Sequence, residues 1–244
     1  MEPMTPRQEF HERGYYVARA LLTKDETGTL RALLRDHFSH SGVPFGLGLH
    51  QPDAGRVIPG LDSLFAHPGI RHVLHDLAAG QTIAFTGNSD AHRNVLNRAH
   101  RDFLFDTGDD GASSSARLIR VGVYLQDHAT DHRGLHVHPG SHRQEKPSDG
   151  DPVYVRTHAG DVTFHDVRLV HSGARPDRVE RTLERLQRCW RSKRLSVALH
   201  NRWIRLSGMP DKLALFFTYG MPGPETDAFC QQHVGEQQNL LNAG

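Results

Sequence analysis

His100-Arg101-Asp102 sets an imidazole and a carboxylate two residues apart. On an extended strand alternate side chains share a face, so both groups could reach one metal ion. Two imidazoles and one carboxylate are the donor set that holds non-haem iron(II) on one side and leaves positions open for a chelating cosubstrate and dioxygen. In a chain with 19 histidines the tripeptide alone selects nothing, and a third ligand is needed downstream. His171 stands in Leu169-Val170-His171-Ser172-Gly173, after a Gly160-Asp161 turn and the run Val162-Thr163-Phe164. His165, at the end of that run, competes with it but lacks the following Ser-Gly. His136 and His138, just before Pro139, form a second pair that a cupin-like metal site could use.

The order of these blocks resembles the phytanoyl-CoA dioxygenase family of iron(II)- and 2-oxoglutarate-dependent oxygenases. The resemblance covers nearly the whole chain. It rests on Phe10-His11-Glu12-Arg13-Gly14-Tyr15, His100-Arg101-Asp102, Tyr124 to Thr130, Arg133-Gly134-Leu135, Pro139-Gly140-Ser141-His142, Gly160-Asp161 and His171-Ser172-Gly173. It implies a mainly β fold with flanking helices, the double-stranded β-helix or cupin-like jelly roll. It also implies iron(II) on His100, Asp102 and His171, with 2-oxoglutarate and dioxygen as cosubstrates and succinate and carbon dioxide as products. The same resemblance places His136 and His138 after the ligand strand, and His142 in the Pro-Gly-Ser-His block reads as a turn-stabilising residue or a support of the ligands rather than a ligand itself. Related halogenases replace the carboxylate ligand by a small residue; Asp102 is present, so hydroxylation is favoured, with desaturation, epimerisation or cyclisation as alternatives at the same centre.

One position departs from the family pattern. The distal carboxylate of 2-oxoglutarate is held there by an arginine between the second histidine and the last core strand. That strand reads here as Leu213 to Tyr219, and the residue at its mouth is Lys212. Lysine lacks the two-pronged guanidinium but still neutralises a carboxylate. Arg181 lies at about the usual separation from the histidine, though within a helical pattern, and Arg205 is a third candidate. Asn97 and Tyr124 are expected to hydrogen-bond the cosubstrate, with Asn88 a further polar group of the pocket.

The elements that must position these residues are short strands rich in β-branched and aromatic residues: Ile83 to Thr86, Phe103 to Phe105, Leu118 to Leu125, Val153 to Val155, Val162 to Phe164 and Leu213 to Tyr219. They assign 82–220 to the jelly-roll core and 1–80 to an N-terminal support. In the support, a short strand near Tyr15 precedes a helix with Leu30, Leu33, Leu34 and Phe38 at helical spacing, and a second helix runs from His67 to Leu77. Gly42 to Gly60 reads as irregular chain bordering a pocket, and Gly108 to Ser115 as a loop. About 175–205 is a helical insertion with Val179, Leu183, Leu186, Trp190, Leu195, Leu199 and Trp203 as its apolar positions and arginines between them. The tail after Gly223 reads as a short helix.

A chain of 244 residues with 37% hydrophobic content suits one domain with a buried core. The net charge of +1 gives no global field for nucleic acid, which leaves a jelly-roll module binding nucleic acid through the basic helices as the weaker alternative to an enzyme. Two cysteines form no disulfide framework, and Met1 to Phe10 has no apolar run, so the expectation is a cytoplasmic protein without a membrane span. The partner expected is a small-molecule substrate, carrying phosphate or carboxylate if the arginine-rich cover meets it, in a biosynthetic pathway. The oligomeric state is left open.

Overall fold

The computed structural model describes residues 4–103, 117–144, 150–189 and 192–242. Helix α1 (Pro6–Arg13) starts at a Thr5–Gln8 capping box and stops at Gly14, whose φ of 82° suits glycine. Strand β1 (Tyr15–Ala18) leads to α2 (Lys24–His40), which also begins on a capping box, Thr23 with Glu26. Strands β2 (Val43–Phe45) and β3 (Gly48–Pro52) precede α3 (Ala54–Val57), α4 (Asp62–Phe65) and α5 (Pro68–Leu77). Then come β4 (Ala84–Arg93), β5 (Leu118–Tyr124), β6 (Leu135–Val137), a 3-10 turn (Ser141–Arg143), β7 (Val153–Val155), β8 (Val162–Asp166) and β9 (His171–Ser172). Helices α6 (Arg178–Gln187) and α7 (Lys193–Leu206), strand β10 (Leu213–Gly220) and α8 (Pro224–Asn242) complete the order.

All strand pairs are antiparallel, in a seven-stranded sheet of order β1-β8-β5-β10-β4-β3-β2 and a three-stranded sheet of order β7-β6-β9. The period-two alternation of a strand divides β5 and β10 between two faces. Val121, Val123, Leu215 and Phe217 turn to one side and pack with Leu30, Leu34 and Phe38 of α2 and Ile70 and Leu74 of α5. Each such fully buried side chain contributes roughly 1.5–3 kcal/mol. Tyr124 and Ala214 turn to the other side, against Leu135, Val137 and Val155 of the smaller sheet. The two sheets therefore face one another across an inner space, as in a jelly roll, and both sides of β5 and β10 are buried. That explains their nearly continuous apolar reading.

The segment Gly42 to Gly60, expected to be irregular, contains the β2–β3 hairpin and α3. Its hydrophobic pattern is weak because β3 carries the polar His50 and Gln51 into buried positions rather than an apolar stripe. Gly48 permits the approach to β4: a Cβ there would lie 2.5 Å from the Arg93 carbonyl oxygen. The segment does border the pocket, through Phe45, Gly46, His50 and Pro52. Helix α1 was not visible in the residue pattern, and α8 is longer than the short tail helix expected. Of the anticipated strand Phe103 to Phe105, Phe103 lies outside any regular strand and the remainder falls outside the described residues, as do the loop Gly108 to Ser115 and Trp190. Among the described residues no helix is long and apolar enough to cross a membrane.

Candidate metal centre and its pocket

His100 and His171 are directly opposed in an isolated antiparallel bridge. Each backbone N–H donates to the other's carbonyl at 2.9 Å, so the two imidazoles leave the bridge side by side, their ring centroids 4.4 Å apart. Asp102 follows in a bend whose N–H donates to Val167 O at 3.0 Å. The expected route to a shared face, alternation along one regular strand, is thus replaced by a bridge and a bend. The convergence is the same: Asp102 Oδ1 lies 3.6 Å from His100 Nε2 and 3.7 Å from His171 Nε2. One potential ligand atom from each residue lies within 4.8 Å of the others, and among the described residues this is the group of such side chains that could hold a metal ion.

The hydrogen bonds behind the triad decide which nitrogens face the centre. His100 Nδ1 is 2.7 Å from Arg98 O and His171 Nδ1 is 3.0 Å from Leu169 O. A carbonyl only accepts, so each Nδ1 carries the proton and each Nε2 presents a lone pair toward Asp102, the arrangement a metal-ligating histidine requires. Burial pushes His171 down to about 3 against the pull of Asp102, keeping it neutral. Asp102 is buried, which opposes its ionisation, yet His171, His100 and His165 hold its carboxyl well below the usual range. Burial likewise works against the charge on His100, but the hydrogen bond and charge of Asp102 raise it. A bound divalent cation would displace any proton from His100, leaving two neutral imidazoles and one carboxylate with a single negative charge, a donor set that fits iron(II).

The motifs around the triad act as its supports. Ser141 Oγ accepts from Val170 N at 2.9 Å, fixing the residue before His171, and His138 N donates to Val170 O at 2.9 Å. His142 Nε2 meets His11 O at 3.1 Å, tying the Pro-Gly-Ser-His turn to α1. In the Gly160-Asp161 turn, Asp161 accepts from Ala20 N and His158 N. Gly173 makes room: a Cβ there would stand 3.2 Å from Lys212 Nζ and 3.3 Å from Asn97 N. His165 lies beside the triad, its Nε2 3.4 Å from Asp102 Oδ2. His136 packs at a tilt against Tyr154 in the smaller sheet, and neither it nor His138 lines the pocket.

A cavity of about 660 Å³ opens onto the triad. Lys212, Tyr124 and Asn97 line it as expected; Arg181 does not. Lys212 is buried, and its ammonium donates to Val95 O at 3.3 Å with no carboxylate within ion-pair distance among the described residues. Burial, with help from Arg133, pushes it down to about 7. Tyr124 is buried and pushed up, so its hydroxyl stays protonated. The Asn97 side-chain amide bonds to no described residue, while the residue's backbone carbonyl accepts from Gly173 N at 3.1 Å. Arg181 and Arg205 are exposed on α6 and α7, and of the insertion's residues Glu184, Gln187 and Arg188 reach the pocket. Asn88 is buried behind the pocket, where it accepts from Arg120.

The insertion is packed differently from its apolar pattern. Val179, Leu186, Leu195 and Leu199 are exposed, and the buried residues of α6 and α7 are Glu180, Ser196, Val197, His200 and Ile204. Glu180 Oε1 accepts from Arg133 Nη2 at 2.7 Å and lies 2.8 Å from His200 Nε2, and His200 Nδ1 meets Leu47 O at 2.9 Å. A buried polar network, rather than a leucine stripe, docks these helices, and Leu183 is the one position of that stripe packed against a core cluster among the described residues.

Sequence reasoning also missed four residues of the pocket wall: His50 on β3, Asp90 and His92 on β4, and Arg120 on β5. His50 Nε2 lies 3.0 Å from Asp90 Oδ1, and Arg120 donates to Asp90 Oδ2. Arg120 also donates to Asn88 and Thr218, so its guanidinium is committed to the protein. The alternation Asn88, Asp90, His92 was the available signal, placing three polar side chains on the inner face of one strand.

No family profile matches the chain, and no curated protein is similar to it in sequence. Solved structures are similar in fold. The non-haem α-ketoglutarate-dependent epimerase SnoN from nogalamycin biosynthesis aligns over 88% of this chain and 80% of its own, with 21% identity and a TM-score of 0.62. The non-haem α-ketoglutarate-dependent carbocyclase SnoK from the same biosynthesis aligns over 88% and 83%, with 18% identity and a TM-score of 0.62. HygX from Streptomyces hygroscopicus, with nickel, 2-oxoglutarate and hygromycin B bound, aligns over 87% and 84%, with 17% identity and a TM-score of 0.62. The fold class is therefore the one these three enzymes share, antiparallel jelly-roll sheets with flanking helices.

Proposed function

We propose that the chain is an iron(II)- and 2-oxoglutarate-dependent oxygenase, one domain of the phytanoyl-CoA dioxygenase type, acting in the cytoplasm on a small molecule of a biosynthetic pathway. The observation that carries this reading is the convergence of His100 Nε2, His171 Nε2 and an Asp102 oxygen, with both Nδ1 atoms bound to backbone carbonyls. When bound, iron(II) supplies the dioxygen chemistry: 2-oxoglutarate is split to succinate and carbon dioxide and a substrate C–H bond is oxidised, by hydroxylation in the leading reading and by epimerisation, desaturation or cyclisation in the second. SnoN and SnoK, an epimerase and a carbocyclase of the same fold, favour keeping that second reading.

His100, Asp102 and His171 hold the metal. Lys212 neutralises the distal carboxylate of 2-oxoglutarate, because it is a buried pocket cation without a carboxylate partner, whereas Arg120 is occupied. Tyr124 donates from its protonated hydroxyl and Asn97 from its free amide to the same cosubstrate. Leu135, Ala214 and Phe216 exclude water around it. For the substrate, the anionic character first expected is confined to the mouth, where Arg98 and Arg188 line the opening.

Anaerobic titration tests this reading. The chain should bind one iron(II), and added 2-oxoglutarate should give the visible charge-transfer band of a chelated keto acid, with succinate formed on admitting air. Absence of both band and succinate would overturn it in favour of a binding module.

A further inference from the structure

The pocket extends well beyond the triad. His165 lies on β8 and His50 on β3, four strands apart in the larger sheet, on the order of 19 Å at about 4.8 Å per strand. The metal ligands and Lys212 account for part of that span. The β3–β4 wall, with Asp90, His92 and His50, is left with no role in holding metal or cosubstrate.

This wall has an unusual charge balance. Asp90 and Arg120 form a buried ion pair, their side chains 13% and 8% exposed, so the carboxylate and the guanidinium cancel. Asp90 still has lone pairs to offer after accepting from His50 and Arg120. His92 is different. Its ring packs edge-on against His50, centroids 4.9 Å apart, and at a tilt against Phe216 at 5.1 Å, yet neither of its nitrogens bonds to a described residue. A neutral imidazole in that position offers one donor and one acceptor to whatever fills the cavity. Burial, reinforced by the neighbouring His50, holds His92 well below its ordinary value, so it remains neutral.

Resting on the oxygenase reading above, we infer that His92 and Asp90 form the substrate subsite and that they recognise a neutral ring bearing hydroxyl groups. A hydroxyl donates to the remaining lone pairs of Asp90 and accepts from the imidazole N–H of His92. Because Arg120 neutralises Asp90, the wall offers no net charge to a cation or to an anion, and a charged ligand would lose hydration here without gaining an ion pair. The ring's apolar face packs on Phe216, and on Phe45, which lies edge-on to His50 with centroids 5.5 Å apart. His92 is thus a specificity residue, acting on the substrate and not on the metal.

The test uses the chain loaded with zinc(II), which is diamagnetic, and with 2-oxoglutarate, and reads saturation transfer to small probes at millimolar concentration. The probes are methyl β-glucoside, its amino and uronic-acid analogues, and catechol. A neutral probe should show transfer, glucoside or catechol deciding between an aliphatic and an aromatic ring, and each charged analogue should be at least fivefold weaker. His92→Phe should reduce the neutral signal at least fivefold, and His92→Gln, which restores a donor and an acceptor, should recover part of it. Thermal melting checks that both variants are folded, and metal and 2-oxoglutarate titrations run alongside. Loss of metal or cosubstrate binding in the unaltered chain would defeat the oxygenase reading itself. With those intact, the subsite is overturned if no neutral probe binds or if His92→Phe leaves the signal unchanged. Preference for the uronic acid, abolished by Arg188→Ala and not by His92→Phe, would likewise overturn it by placing recognition at the mouth.

Discussion

Glu180 and Lys212 are both buried charges between the helical insertion and the sheet, and the protein treats them in opposite ways. Glu180 accepts from both terminal nitrogens of Arg133, from His200 and from the backbone N–H of Asp177 at its own helix cap. Burial opposes its charge, but those donors hold its carboxyl down to about 2. Lys212 has a single carbonyl at 3.3 Å, and burial drives it down to about 7. A charge whose partners are all supplied by the chain is part of the scaffold. One left short of partners is stable only at a cost, and that cost is relieved when a ligand supplies the missing charge.

Removing the proposed metal ligands separates site from scaffold most sharply. His171→Ala or Asp102→Ala should abolish iron(II) binding measured by anaerobic calorimetry while the chain stays folded. His165→Ala should retain the metal, and loss there with metal kept in His171→Ala would mean that His165, not His171, is the ligand. Next in size is the scaffold charge: Glu180→Ala strands Arg133 and His200 in the interior and should cost about 3–5 kcal/mol in denaturant unfolding. A loss under 1 kcal/mol would show that the insertion is held by something other than this network.

Lys212→Ala should weaken 2-oxoglutarate binding about 30-fold or more, equivalent to roughly 2 kcal/mol, and leave iron binding nearly unchanged. The same lysine makes cosubstrate affinity pH-dependent. The free ammonium titrates near 7 and the bound one higher, so binding takes up a proton above pH 7. Affinity should therefore be flat below 7 and fall as pH rises, approaching tenfold per pH unit. Lys212→Arg should remove that slope over the same range, and a slope that persists would assign it to another group. The smallest effect is expected at Arg181: because the side chain is exposed on α6, Arg181→Ala should change 2-oxoglutarate affinity less than twofold by the same titration. A loss matching that of Lys212→Ala would move the anchor into the insertion.

The residue pattern made legible the strand-rich core, the two N-terminal helices and the helical character of the insertion, and its resemblance to a family pointed to His100, Asp102 and His171, which the fold brings together. Each of these depends on local periodicity or on short blocks in a fixed order, and such signals survive in one dimension. Lys212 was legible for a similar reason, as the cation at the mouth of an apolar strand. The tertiary structure alone decided that the arginines of α6 and α7 mostly face away from the pocket, that the insertion docks through Glu180, and that His92, Asp90, His50 and Arg120 form a wall. Those outcomes rest on partners far apart in sequence, Arg133 with Glu180 at a separation of 47 residues and His50 with Asp90 at 40. Whether a buried polar group is satisfied depends on where its partner arrives in space, and no spacing along the chain encodes that distance.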